Sequence, residues 1–459
     1  MVATSVATAA PVLVVGAGPA GLTLARSLAL RGRAVRVFDA QVHRPDRGLG
    51  IWGRAQAALR ALGHGKILDS ASTTLRIPAA AYRNRRGEWL SRSSDNEANR
   101  RRVATLRESV LLADLERGLP EGTVQRGARL TAVEQGEVGG TPSTAVTLRF
   151  ADGTCAEGAA VVGADGACSA VRRLAFGEGM KEVHTSMISY GGILSPLAVA
   201  NLTTSGGRTD SAEGSSPTAH AFETLSSGRR FACVPLADGG AFWFATMPEA
   251  HMLAMAGTVG GEGAIPALRE AYEGWHAPIP RMLHAVACSA AEAAMSSAEP
   301  RSEQSSVAAT LESSGILRAE RLFVAPASLA QWWTGRAVLV GDAAHALPIN
   351  LAQGAACGIE GAYLLGESIH RHDGSHDLGA AFAEYQAAHE PRVRQCRAVT
   401  AFTGALASPA SGPTEALRDA MRFVPQPLNG MVFDTALELS LGDRPEGTRR
   451  RWPLPVACE

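Results

Sequence analysis

Residues 12–21 read VLVVGAGPAG, an apolar, β-branched run that breaks at Gly16, Gly18 and Gly21. β-Branched side chains favour a strand, glycines at this spacing force a tight turn, and residues 20–31 carry the apolar spacing of a helix. A second strand is expected over 34–39, ending on Asp39. Strand, turn, helix and strand in that order form a βαβ unit, the start of a parallel sheet. Each glycine has its own reason there. Gly16 permits the turn, Gly18 lets backbone approach a pyrophosphate, and Gly21 lets the helix lie close on the strand. The helix N-terminus at Ala20 offers unpaired N–H groups and a partial positive charge. Asp39, about twenty residues on, is placed to accept hydrogen bonds from ribose hydroxyls. The unit points to a bound dinucleotide and does not by itself separate FAD from NAD.

Two further segments bear on that choice. GADGACSAVRR, residues 163–173, follows a short apolar strand. GRAVLVGDAAHALPINLAQGAACGIEGA, residues 335–362, brings a strand to Gly341 and Asp342 and opens a helix at Gln353 and Gly354.

Between these segments the pattern changes. Residues 75–77 and 81–90 suggest a hairpin with an RRGE turn, helix is expected over 109–117, and strands near 128–134, 145–150 and 159–163. From 183 to 248 strands alternate with loops, the clearest at 230–236 and 241–246, and this part reads as antiparallel. Helices are expected over 264–274, 280–294 and 354–370, with a strand at 337–340. Ser-rich stretches at 203–217, expected to be a mobile loop, and at 296–306 interrupt the pattern.

Composition narrows the function classes. Lys and Arg number 44 and Asp and Glu number 44, so no global attraction to nucleic acid or anionic membrane is expected. The clusters at Arg83, Arg85 and Arg86, at Arg100 to Arg102, and at Arg449 to Arg451 read as solvated surface. Seven cysteines without a CxxC spacing fit reduced thiols. No cationic leader and no run of about 18 apolar residues is seen, so a soluble, cytoplasmic chain is expected. His370, His372 and His376 cluster where cations suit a helix C-terminus, and no metal is expected. Tyr190, His220, Phe222 and Trp243 could line a pocket, although aromatic residues in strands more often form core.

The three ordered motifs, over about residues 11–390, resemble the flavoprotein aromatic hydroxylases, single-component FAD-dependent monooxygenases with the p-hydroxybenzoate hydroxylase fold. Residues 222–246 and 274–283 are similar to the branch that oxidises urate, salicylate and carotenoids. The resemblance implies an α/β fold, a Rossmann-like parallel FAD-binding sheet joined to a smaller antiparallel substrate sheet. The FAD-binding part is expected over 1–74, 103–182 and 318–390, the substrate part over 75–102 and 183–317, and a partly helical segment over 391–459.

The resemblance also implies roles. Gly16, Gly18, Ala20, Gly21 and Asp39 would bind the ADP half of non-covalent FAD, and Arg47 and Arg107 match FAD-contacting arginines. Asp165 and Arg172 lie in the motif near FAD and the path of transient NAD(P)H. Asp342 matches the acid that holds the ribityl chain. The loop from Pro348 through Ala352, Gln353, Gly354 and Ala355 matches the backbone along the isoalloxazine ring. Two positions depart from the family pattern: Ala352 stands where GQG has its first glycine, and Gly361 follows Glu360 where an acid is frequent.

The implied reaction is reduction of FAD by NAD(P)H, addition of O2 at flavin C4a, and transfer of one oxygen from the hydroperoxide to a small aromatic or hydrophobic substrate, as hydroxylation or epoxidation. The partners are that substrate and O2, in a monomer or homodimer. Two rivals stay open: a flavin reductase or dehydrogenase on the same fold, and a flavin-binding regulatory protein without turnover.

Overall fold

The computed structural model describes residues 10–76, 81–138, 141–204, 221–226, 228–260, 263–296, 317–372, 378–407, 412–425, 428–431 and 434. The expected mobile loop lies from 205 on outside the described residues, as do His220, His376, the second Ser-rich stretch from 297 on and the final arginine cluster.

The first motif folds as its residue types require. Val12–Val15 is buried on both faces between Ala160–Gly163 and Val35–Asp39, parallel to each. The sheet continues on one side through Ala337–Leu339, also parallel, to the antiparallel edge Trp333–Thr334, and ends on the other at Val124–Arg126. Helix Pro19–Leu30 covers one face and packs against Gly354–Arg371. These helices approach closely because Gly366 has no side chain; a Cβ there would overlap Ser27 Oγ. Full burial of each valine of this strand contributes roughly 1.5–3 kcal/mol, so the strand anchors everything built on its C-terminal end.

A seven-stranded sheet forms the second layer, in the order Arg318–Val324, Val183–Leu194, Ala241–Pro248, Arg229–Pro235, Phe222–Ser226, Ala81–Asn84 and Trp89–Arg92. Its pairs are antiparallel except Phe222–Ser226 with Ala81–Asn84, which run parallel. One face packs Tyr190, Phe231, Trp243 and Met247 against Tyr272, Trp275 and Met282 of the helical region that follows. Tyr190 and Trp243 are therefore core and do not line a pocket; Phe222 is buried with them.

Three boundaries differ from the sequence reading. Arg318–Val324 is an edge strand of the seven-stranded sheet, paired with Val183–Leu194, although the FAD-binding part was expected to resume at 318. Leu75–Arg76, expected in the substrate part, pairs with Val103–Arg107, which also carries Gly48–Trp52, and so belongs to a three-stranded sheet apart from the seven-stranded one. Helix Leu378–Ala407 runs through Pro391, where a new segment was expected. Beyond it, Gly412–Asp419 and the turn after it dock on the hairpin: Ser226 Oγ donates to Glu415 at 2.8 Å and Arg422 pairs with Glu88 at 2.7 Å. A cavity of about 390 Å³ lies there, lined by Arg85, Arg86, Glu415, Asp419 and Arg422, and shares no residue with the motif turns.

Candidate active site

The Gly-rich turn separates folding constraints from binding ones. Gly16 has φ +107° and a Cβ there would run into the carbonyl oxygen of Ala164, while a Cβ on Gly21 would overlap Gly16 O. Both must be glycine for the turn to close on its neighbours. Gly18 is different. Its backbone is extended, and the nearest atoms to a Cβ there are the Arg44 guanidinium nitrogens, 3.9 Å away. The turn therefore leaves open space over Gly18, where a pyrophosphate would come against backbone. Asp39 is nearly buried; one oxygen accepts from Ala17 N at 2.9 Å and from Arg44 Nη2 at 3.1 Å, the other from Gln41 N at 2.8 Å. The carboxylate thus holds the turn and draws Arg44 to its mouth, a residue the sequence reading does not single out.

Asp165 and Arg172 serve their own segment. Asp165 accepts from Ser169 Oγ, from Ala170 N at 2.7 Å and from Val171 N at 3.1 Å, closing the N-terminus of helix Ala170–Phe176; burial raises its pKa against those hydrogen bonds. Arg172 is fully buried and donates to the carbonyls of Ala167, Met180 and Ala343 at 2.6, 2.7 and 2.8 Å. Its guanidinium ties this helix to the residue after Asp342.

Gly341, at φ +59°, ends the strand Ala337–Leu339 in a turn, and Cβ atoms built on Gly341 and Gly358 would lie 3.1 and 3.3 Å from the Ala20 methyl. Ala20 is small because the first and third motifs meet on it. Asp342 is exposed to solvent at the start of helix Asp342–His345, yet desolvation by the surrounding protein raises its pKa, opposed by Arg47 and reinforced by Glu320 and Glu108. Arg47 pairs bidentately with the buried Glu108, Nε at 2.7 Å and Nη2 at 3.2 Å. Burial works against its charge, but Glu108, with Glu320 and Asp342 adding, holds the guanidinium protonated well above its ordinary value. Arg107 spans two carboxylates, Asp238 at 2.6 Å and Asp46 at 3.2 Å, and ties the turn between Arg229–Pro235 and Ala241–Pro248 to the segment before Gly48–Trp52.

From Pro348 the loop makes one 3-10 turn, passes through Ala352 at φ +50°, and enters helix Gly354–Arg371 at Gln353. Gln353 is buried, and Ala355 is half-buried against the core. Asp342 Oδ1 lies 3.6 Å from the Cβ position of Gly354, so the carboxylate and this helix N-terminus share one place. Strand Gly48–Trp52 joins it to the seven-stranded sheet, its roof: a Cβ on Gly50 would lie 3.8 Å from the Ala352 methyl, and one on Gly48 would lie 2.7 Å from Phe242 of that sheet. Arg230 donates to Asn350 Oδ1 in the loop and to Glu223 on the next strand, and Asn350 Nδ2 donates to Thr400 O at 2.6 Å.

The Gly-rich turn, the Asp342 turn and the Gly354 helix N-terminus thus converge at the C-terminal edge of one parallel sheet, where ligands of such folds collect. Comparison with known proteins gives FAD as the cofactor. Residues 9–204 match the FAD binding domain family. The chain is 29% identical over 387 residues to the aurachin C monooxygenase/isomerase of Stigmatella aurantiaca, covering 83% of this chain and 85% of that one. It is 29% identical over 427 residues to a 3-amino-4-hydroxybenzoate 2-monooxygenase of Streptomyces platensis, covering 89% and 91%. Residues 9–204 thus carry an FAD binding domain, and the chain as a whole is similar to FAD-dependent monooxygenases.

The fold of this flavoprotein agrees. It superposes on Klebsiella pneumoniae HpxO, solved with FAD and uric acid, with a TM-score of 0.70 at 21% identity, covering 93% of this chain and 97% of HpxO. FAD fits the residues present, since the open face over Gly18 and the helix N-terminus beside Asp342 are cradles that larger side chains would fill. Among the described residues no group of three His, Cys, Asp or Glu is placed to hold a metal, and His372 pairs instead with Glu384 at 2.9 Å. No described helix is long and apolar enough to cross a membrane.

Proposed function

We propose that this flavoprotein takes electrons from NAD(P)H and uses O2 to hydroxylate or epoxidise a small aromatic or hydrophobic substrate. The convergence of Asp342, the helix N-terminus at Gly354 and the roof over Gly48 and Ala352 carries the reading. FAD held there would supply hydride acceptance and oxygen activation. The N-terminus of helix Gly354–Arg371 would hold negative charge on a bound reduced flavin through the free N–H groups of its first turn and the helix dipole. Asp342 would accept a hydrogen bond from a ribityl hydroxyl. Gly16, Gly18, Ala20, Gly21 and Asp39 form the ADP cradle, with Arg44 at its mouth; Arg47 fixes the near edge of the ring site, and Arg107 locks the roof. Phe242 and Phe244 exclude water from the oxygen-transfer space.

The seven-stranded sheet is the substrate side and the parallel sheet the FAD side, in a cytoplasmic monomer or homodimer. The relatives' names point the same way, since they act on aurachin C and on an aminohydroxybenzoate, and HpxO was solved with uric acid. Purified holoprotein screened against an aromatic metabolite panel is expected to show substrate-stimulated NAD(P)H consumption. Consumption that no compound stimulates would instead favour a flavin-binding regulatory protein.

A further inference from the structure

The roof face turned toward the flavin loop can be read from its pairing. Tyr190, Phe231, Cys233, Trp243 and Ala245 point into the helical core, so their alternates point the other way. In register, Arg230 lies opposite Thr246, Ala232 opposite Phe244, Val234 opposite Phe242, and Glu223 opposite Ala232. The wall therefore presents two aromatic rings, with centroids 6.1 Å apart, and beside them Arg230 joined to Glu223. Arg230 is almost fully buried and reaches the ring-side loop at Asn350.

The charge balance of this space is specific. Arg230 is matched by Glu223, Arg47 by Glu108, Arg107 by Asp46 and Asp238, and Arg318 by Glu320 at 3.3 Å. Each arginine named around the cleft thus has its carboxylate, and Asp342 adds a further one. A carboxylate-bearing ligand entering here would shed its water without gaining an uncompensated cation, which disfavours it. A flat neutral ring gains the Phe242 and Phe244 faces at no such cost.

We infer that the substrate is an uncharged aromatic or heteroaromatic molecule, and that Glu223, by neutralising Arg230, sets the preference against aromatic carboxylates. The inference rests on the monooxygenase reading of this cleft, and it separates the chain from its aminohydroxybenzoate-oxidising relative in substrate class.

Binding without turnover tests it. FAD holoprotein near neutral pH is titrated with matched probes, 2-naphthol against 3-hydroxy-2-naphthoate and indole against indole-2-carboxylate, following the bound-flavin absorbance. The neutral member of each pair is expected to bind at least tenfold more tightly. In Glu223→Gln, which leaves Arg230 uncompensated, that ratio should fall at least tenfold. A carboxylate that binds wild type within threefold of its neutral partner, a failure of both neutral probes to bind, or an unchanged ratio in a Glu223→Gln protein that retains FAD would each overturn the inference. If that variant does not retain FAD, the wild-type ratio decides. Because no NAD(P)H is present, a neutral preference would stand even if oxygen transfer failed, so the two readings fail separately.

Discussion

The imidazole of His389 stands where a side chain on Gly361 would go: a Cβ at Gly361 would lie 2.9 Å from its Cδ2 and Nε2 and 3.3 Å from the Tyr385 hydroxyl. The family pattern often has an acid at this position, so the departure is compensated by a residue on the next helix. Gly361→Asp is expected to cost several kcal/mol, from overpacking of about 1–3 kcal/mol plus a buried charge beside Glu360. Gly361→Asp with His389→Ala should recover much of the loss in thermal unfolding. Equal stability of single mutant and wild type would show that the two positions are not coupled.

Gly16 and Gly18 should fail in different ways. Gly16→Ala places a methyl into Ala164 O at a positive φ, so folding itself should be lost or weakened by several kcal/mol. At Gly18 a Cβ meets only Arg44, at 3.9 Å, so the Gly18→Val apoprotein should unfold within a few degrees of wild type while FAD affinity falls by about a hundredfold or more. Calorimetry of the apoproteins and flavin titration separate the two outcomes; wild-type FAD affinity in Gly18→Val would show that the open face does not receive the pyrophosphate.

What was legible in the sequence follows from range. Gly16, Gly21 and the Gly341–Asp342 turn are fixed by local backbone demands, and the expected strands and helices around them are present. Arg318–Val324 is charged, lies at a sheet edge and pairs with a strand far earlier in the chain, so no local pattern marks it. Pro391 reads as a breaker, yet the helix absorbs it. Arg44, Glu108 and Asn350 were missed because their significance lies in their partners: Arg230 and Asn350 are 120 residues apart. Arg107, expected on FAD, has its guanidinium on Asp46 and Asp238.

Ala352 sits at φ +50°, a conformation that costs an L-residue roughly 1–2 kcal/mol. Ala352→Gly removes that strain but loosens the unfolded chain, so a net stabilisation of about 0.5–1 kcal/mol is expected, with FAD affinity changed less than threefold. Denaturant unfolding of the holoprotein measures it. A destabilised variant would mean that the methyl, which faces Gly50, contributes packing that outweighs the strain.

Acid should destabilise the fold through its buried histidines. Burial, with Arg392 adding, lowers the pKa of His389 to about 3, and burial holds His345 well below its ordinary value. In the unfolded chain both take a proton near pH 6.5, so below that pH the unfolded state binds more protons and stability falls as pH drops toward 3. The slope should be on the order of 1 kcal/mol per pH unit for each histidine. His389 faces His345, Tyr385, Trp332, Glu360 and Arg392. His389→Gln should flatten the decline between pH 6.5 and 5, above most carboxylate titration; an unchanged slope would remove His389 from this account.

The most direct measurement is the fate of labelled O2. With a substrate found by stimulated NAD(P)H consumption, turnover under ¹⁸O2 in unlabelled water is expected to place one labelled atom in each product molecule and release the other as water. Product formed in full stoichiometry with NAD(P)H but carrying no label would contradict the monooxygenase reading and assign the chain to reductase or dehydrogenase chemistry, even with FAD bound as described.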